Sequence, residues 1–136
     1  METLNIPSDY QQVMPYLIVK DAVGFMKFMH DVFGAKEKMK HMRSEDIITH
    51  AEITVGECVI MFADSTDAFP PRTGGFFIYV PDADETYNKA IVAGATSIMP
   101  VSDQPYGRSG GIIDPYGNTW WPTTHIEPNT DTMGIP

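Results

Sequence analysis

The chain repeats itself. Val19-Lys20-Asp21-Ala22 recurs as Val80-Pro81-Asp82-Ala83, Gly34-Ala35 recurs as Gly94-Ala95, and Val55-Gly56-Glu57 falls at Tyr116-Gly117-Asn118. The offset stays at about 60 residues, which marks one supersecondary unit duplicated once and not the many short periods of a solenoid. Each copy reads β-α-β-β-β. A single helix per copy covers only one face of its strands. The predicted fold is therefore α+β: two tandem β-α-β-β-β units, helices on one side of a curved mixed sheet and a concave cleft on the other. Concave surfaces of this kind are where small molecules bind.

Local signals place the elements. A first strand is expected over 13–20, with Pro15 near its start, where a missing N–H is tolerated at a sheet edge. Asp21 is a good N-cap, Phe25, Phe28, Met29, Val32 and Phe33 recur at helical spacing, and Gly34 suits C′, which predicts a helix over 22–33. Residues 36–42 form a lysine-bearing strand suited to an edge. A hairpin over 47–55 and 58–63 turns at Gly56-Glu57, and a connector with two prolines occupies 64–73.

The second copy begins with a strand over 75–80. Asp82 with Glu85 resembles a capping box, Tyr87, Ala90 and Ile91 mark a helical face, and Gly94 ends the helix. A strand over 95–101 and a loop over 102–107 follow. Asp114-Pro115-Tyr116-Gly117 reads as a tight turn before the return strand that carries Trp120 and Trp121. The expected layout is one domain over 1–136, with units at 13–63 and 74–125, a loose lead-in before them and a poorly ordered tail at 126–136.

The formal net charge of −9 argues against nucleic acid or an anionic membrane surface as a main partner. No apolar run approaches the ~18 residues of a membrane span, and no signal-peptide pattern opens the chain, so a cytoplasmic protein is expected. Cys58 is the single cysteine, which rules out an intrachain disulfide. It adjoins Val59-Ile60-Met61-Phe62 and is expected to be a small buried hydrophobe.

Strand parity nominates a ligand wall. If Met14 faces the cleft, so do Tyr16 and Ile18, while Leu17 and Val19 pack on the helices. By the same rule Val59, Met61 and Ala63, Phe77 and Tyr79, and Thr119, Trp121 and Thr123 face inward. The candidate ligand-binding set is Met14, Tyr16, Met61, Phe77, Tyr79 and Trp121, apolar and aromatic, with the alternative that these residues fill a core or a dimer interface. Arg108, between glycines, joins the set as a clamp for a carboxylate or phosphate, with a surface ion pair as the alternative. His50 and Glu52 share one strand face and form the candidate catalytic pair, a general base with its orienting partner. The same two side chains are candidate ligands of a relocated metal, with His125 or Asp64 as a third, or a plain hydrogen-bonded pair at the sheet rim.

The ordered set PYLIVKDA, MHDVFGA, THAEITVGECVIMFAD, AGATSIM and YGRSGGIIDPYGNTWW resembles the vicinal-oxygen-chelate superfamily, which includes glyoxalase I, the bleomycin-resistance proteins and the extradiol dioxygenases. Within it the PhnB-like subgroup is the most similar. The resemblance implies a homodimer. It also implies four metal-ligand positions, which fall here on Met14, Met61, Gly75 and Trp121. Thioethers, a glycine and an indole are not the imidazole and carboxylate donors that divalent ions want, so no metal and no cofactor is expected there. Three functions are carried forward. The first is a metal-independent small-molecule-binding protein. The second is a superfamily enzyme of lyase, isomerase or dioxygenase type, using a relocated metal or acid–base chemistry at His50 and Glu52. The third is a structural or regulatory dimer with a filled cleft.

Overall fold

A computed structural model describes residues 4–126. The element order is β1 (Tyr16–Val19), α1 (Ala22–Phe33), β2 (Lys36–Met42), β3 (Ile48–Val55), β4 (Cys58–Asp64), β5 (Gly75–Tyr79), α2 (Ala83–Val92), β6 (Thr96–Gln104), β7 (Gly107–Ile113) and β8 (Thr119–Thr124). The α+β class and the duplicated β-α-β-β-β order are those read from the sequence. Hydrogen bonding closes within each copy: one four-stranded sheet has the order β1-β4-β3-β2 and the other β5-β8-β7-β6. In both sheets the first strand runs parallel to the last and the remaining pairs are antiparallel. Among the described residues the first compact unit comprises 4–30 with 34–72, and the second 31–33 with 73–126.

The first unit builds its core from large side chains. The stripe on α1 lies against the face of β1, β3 and β4 that carries Leu17, Val19, Ile53 and Phe62, and Phe25 meets Phe62 edge-on at 4.9 Å. The helix begins at Asp21, whose carboxylate accepts from Gly24 N, and ends at Gly34 in the left-handed region. Asp64, at the end of β4, ties the unit together: its two oxygens accept from Ala22 N (2.8 Å) and Ile48 N (2.7 Å).

The second unit uses small residues on its helix. Ala83, Thr86 and Ala90 are the buried side chains of α2. Asp82 accepts from Glu85 N, but the Glu85 side chain pairs with Lys89 at 3.0 Å and does not reach back, so the capping box is half formed. At the turn between β7 and β8, Gly117 N donates to Asp114 O, and Gly117 has φ +98. The buried Asp114 carboxylate accepts from Tyr116 N, Asn118 N, Asn118 Nδ2 and Trp120 Nε1, so the turn and the first tryptophan are fixed by one side chain.

Four expectations are corrected. The lead-in is not loose over its last residues: Gln11 donates from Nε2 to Val59 O and accepts from Val59 N, which leaves Val59 fully buried. The connector adds to the edge of β1, where Ile18 and Arg72 exchange backbone hydrogen bonds of 3.0 and 2.9 Å. The 102–107 loop is mostly strand, because β6 runs on to Gln104 and β7 starts at Gly107. Cys58 is exposed, since it opens β4 directly after the turn. Of the expected tail at 126–136, all but Ile126 lies outside the described residues.

Candidate functional site

Each sheet has one face on its helix and one open face, and strand pairing lays four residues across each open face in a row. In the first unit Tyr16 pairs with Met61, Met61 with Glu52, and Glu52 with Met39. In the second, Phe77 pairs with Trp121 and Gly111 with Met99, and the Trp121 ring lies against Gly111. The rows occupy equivalent register positions, so Tyr16 corresponds to Phe77, Met61 to Trp121, Glu52 to Gly111 and Met39 to Met99.

In the second unit Phe77, Trp121 and Met99 of this row line an open cavity of about 550 Å³, with Gly75, Phe76 and Tyr106 completing the wall. Gly111 gives its space to the tryptophan: a Cβ there would stand 2.5 Å from Trp121 Cζ3. Gly110, on the other face of β7, does the same for α2, because a Cβ would stand 3.0 Å from Tyr87 Cδ2. Phe77 is 5.2 Å from Tyr79, edge-on, and 5.9 Å from Tyr106. The structure thus brings together Phe77 and Trp121 from the expected ligand set, with Tyr79 flanking Phe77. Met99 and Tyr106 were missed. Tyr106 falls in the expected 102–107 loop, and Met99 follows an irregularity in the β6–β7 register that parity alone does not reveal.

In the first unit the row carries two polar residues, Tyr16 and Glu52, which are linked through His50. Glu52 is 4% exposed. Its Oε2 lies 2.8 Å from His50 Nε2, and its Oε1 accepts from Tyr10 Oη at 2.5 Å. His50 Nδ1 lies 3.0 Å from Tyr16 Oη. Lys38 Nζ stands 4.8 Å over the Tyr10 ring. Burial alone would raise the pKa of Glu52, but the hydrogen bonds from Tyr10 and His50, with the charges of His50 and Lys38, outweigh it and hold the carboxyl below its usual range. The same contact raises the Tyr10 phenol. His50 and Glu52 are therefore a joined pair as expected, but Glu52 is buried under the lead-in and not at a solvated rim. Tyr10 was missed because it lies 42 residues from Glu52 in a segment without periodicity. Met14 and Met61 are half-buried, and Tyr16 is 46% exposed.

Arg108 is already engaged. Its Nε and Nη2 donate to the two Asp84 oxygens (2.6 and 3.1 Å) and its Nη1 to Asp103 (3.0 Å). This two-carboxylate grip lowers the pKa of Asp84 and raises that of Arg108. The surface ion pair describes this residue, and the expected anion clamp is spent within the chain.

The implied metal positions do not fit a divalent ion. Met14 and Met61 offer thioethers, Gly75 offers no side chain, and the Trp121 indole, packed against Gly111, offers no carboxylate or imidazole donor. The relocated set fares no better. Both Asp64 oxygens are held by backbone N–H groups, and among the described residues no three His, Cys, Asp or Glu side chains converge on a metal-sized site. No helix among the described residues is long and apolar enough to cross a membrane.

Comparison with known proteins agrees with this architecture. An uncharacterized protein of Mycobacterium bovis is 28% identical over 118 residues, 78% of each chain. The PhnB protein from Bacillus cereus shares the fold with a TM-score of 0.70 at 19% identity, covering 84% of this chain and 99% of its own. TnmS3, an antibiotic binding protein from a Streptomyces species, gives 0.66 at 14% identity, covering 86% and 100%. A family model matches residues 10–121, from the lead-in tyrosine on Glu52 to the tryptophan of the aromatic cavity. With that match spanning both copies of the repeat, the chain belongs to the Glyoxalase/Bleomycin resistance protein/Dioxygenase superfamily.

Proposed function

We propose that this protein is a metal-independent small-molecule-binding protein of the PhnB-like kind, which holds a flat, aromatic ligand against Trp121. One observation carries the reading: the cavity of about 550 Å³ walled by Phe77, Met99, Tyr106 and Trp121. Its size suits a drug-sized molecule, and aromatic rings present broad faces for stacking. The net charge of −9 and the ring faces favour a cationic ligand. TnmS3, with the same fold, binds an antibiotic, which supports a binding role for this architecture. An open cavity favours ligand binding over a filled, purely structural face. The donor chemistry of Met14, Met61, Gly75 and Trp121 supports binding without a metal. We place the protein in the cytoplasm as a homodimer. The family resemblance implies pairing, and Phe77 and Tyr79 are exposed rings on the edge strand β5.

The test is a titration of planar cationic, neutral and anionic aromatic dyes, followed by tryptophan fluorescence. Saturable binding is expected, strongest for the cationic dye. Trp121→Ala should weaken it about tenfold, the loss of one stacked ring, and Arg108→Ala much less. Equal or reversed losses would exclude an aromatic stacking site. Metal content measured by mass spectrometry after dialysis against divalent ions should fall well short of one ion per chain. A tightly held stoichiometric ion would overturn the metal-free reading.

A further inference from the structure

The first unit holds a second cavity, of about 470 Å³, whose chemistry differs from that of the aromatic one. Ile18, Ile47, Ala63 and Phe69 make its apolar wall, and Tyr16, Arg43, Thr49 and Thr66 supply its polar groups, of which Thr49 Oγ1 donates to His41 O and Thr66 Oγ1 accepts from Phe69 N. Asp64 also borders it, but both of its oxygens are turned to the amides of Ala22 and Ile48. Glu45 and Asp46, in the turn after Arg43, are exposed and do not line the cavity.

Tyr16 is the exposed end of a hydrogen-bonded chain whose buried end is Glu52. An ionised carboxylate only accepts, so His50 Nε2 carries the proton in its 2.8 Å contact. When His50 is neutral, Nδ1 has a lone pair and Tyr16 O–H donates to it. When His50 is protonated, Nδ1–H donates to the Tyr16 oxygen, and the phenolic O–H is released toward the cavity. Toward the cavity, the chain thus changes Tyr16 from an acceptor to a donor, while toward His50 it changes from donor to acceptor. The charged and titratable groups around His50 are Tyr16 on β1, Glu52 on β3 and, as the register partner of His50, His41 on β2, with Tyr10 and Lys38 behind Glu52.

We propose that this cavity binds a small carboxylic acid with an apolar body, its carboxylate taken by the Arg43 guanidinium and by the Tyr16 O–H that protonated His50 releases. The site is confined to the first unit and does not depend on the aromatic cavity of the second.

Benzoate is the probe, titrated into the full chain and followed by amide NMR, with benzyl alcohol as its uncharged counterpart. Saturable shifts are expected at Ile18, Arg43 and Phe69, with benzoate binding at least about tenfold more tightly than the alcohol. Arg43→Gln should weaken benzoate about tenfold and Tyr16→Phe about threefold, while Trp121→Ala should leave it unchanged. Both first-unit side chains are exposed at the site, and dispersed amide spectra check that the variants stay folded. On benzoate binding, the His50 ring nitrogens should move toward their protonated shifts in wild type. Absence of saturable binding at millimolar benzoate, equal affinity for the alcohol, indifference to Arg43→Gln or Tyr16→Phe, or a static His50 ring would each overturn the proposal. Loss of benzoate binding in Trp121→Ala would assign it to the aromatic cavity instead.

Discussion

The two units build the same open face with opposite chemistry. Tyr16, Met61, Glu52 and Met39 cross one sheet, and Phe77, Trp121, Gly111 and Met99 cross the other. The decisive position is the third. In the first unit it holds a carboxylate, which must be satisfied because it is buried, and Tyr10 and His50 satisfy it. In the second it holds no side chain, and the neighbouring tryptophan takes the space. One frame therefore yields a hydrogen-bonded relay in one copy and an aromatic cavity in the other. Duplication fixes the backbone, while a few register positions decide what each copy can bind.

Removing the carboxylate tests this contrast most severely. Glu52→Leu leaves Tyr10 and His50 facing a buried apolar group, and should lower stability by about 2–3 kcal/mol in urea unfolding, the cost of losing hydrogen bonds to a charged acceptor. An unchanged midpoint would mean that the relay contributes nothing to the first unit. Filling the empty position is the converse test. Gly111→Ala forces the Trp121 ring away from β7 and should cost about 1–2 kcal/mol as overpacking, with a shift in tryptophan emission. If dye binding survives at full strength, the cavity is not shaped by this glycine.

The smallest expected effect is in pH. The folded-state pKa of Glu52 is depressed, so its stabilisation is present above its unfolded value of about 4.3 and is lost as pH falls through the folded value. Glu52→Gln should flatten the acid limb of the stability profile below about pH 4.5. The aromatic row has no titrating carboxylate, so Trp121→Phe should leave that limb as it is. A parallel loss in both variants would remove the distinction between the rows.

Much of this was legible along the chain. Helix α1 falls on the predicted residues because its stripe, cap and glycine are local signals within one element. The open-face residues Tyr16, Phe77 and Trp121 follow from strand parity, which needs only the alternation of a pleated backbone. Arg108 shows the limit of such reasoning. Its glycine neighbours suggested a ligand clamp, but its partner Asp84 is 24 residues away on a helix, and no local pattern announces the pair.

The sequence by itself determined the repeat, the element order and the face taken by residues in the regular strands, because these depend on residue type, on the offset of about 60 residues and on periods of two and 3.6; it also puts no imidazole or carboxylate at the four positions that the family resemblance implies. Only the tertiary structure decided that Tyr10 caps Glu52, that Gln11 covers Val59, that Asp64 is spent on backbone amides and that Gly111 yields its volume to Trp121. These contacts join different strands and segments, up to 48 residues apart for Gln11 and Val59, and their strength comes from burial and from the geometry of satisfied polar groups, which exist only once the sheets have formed.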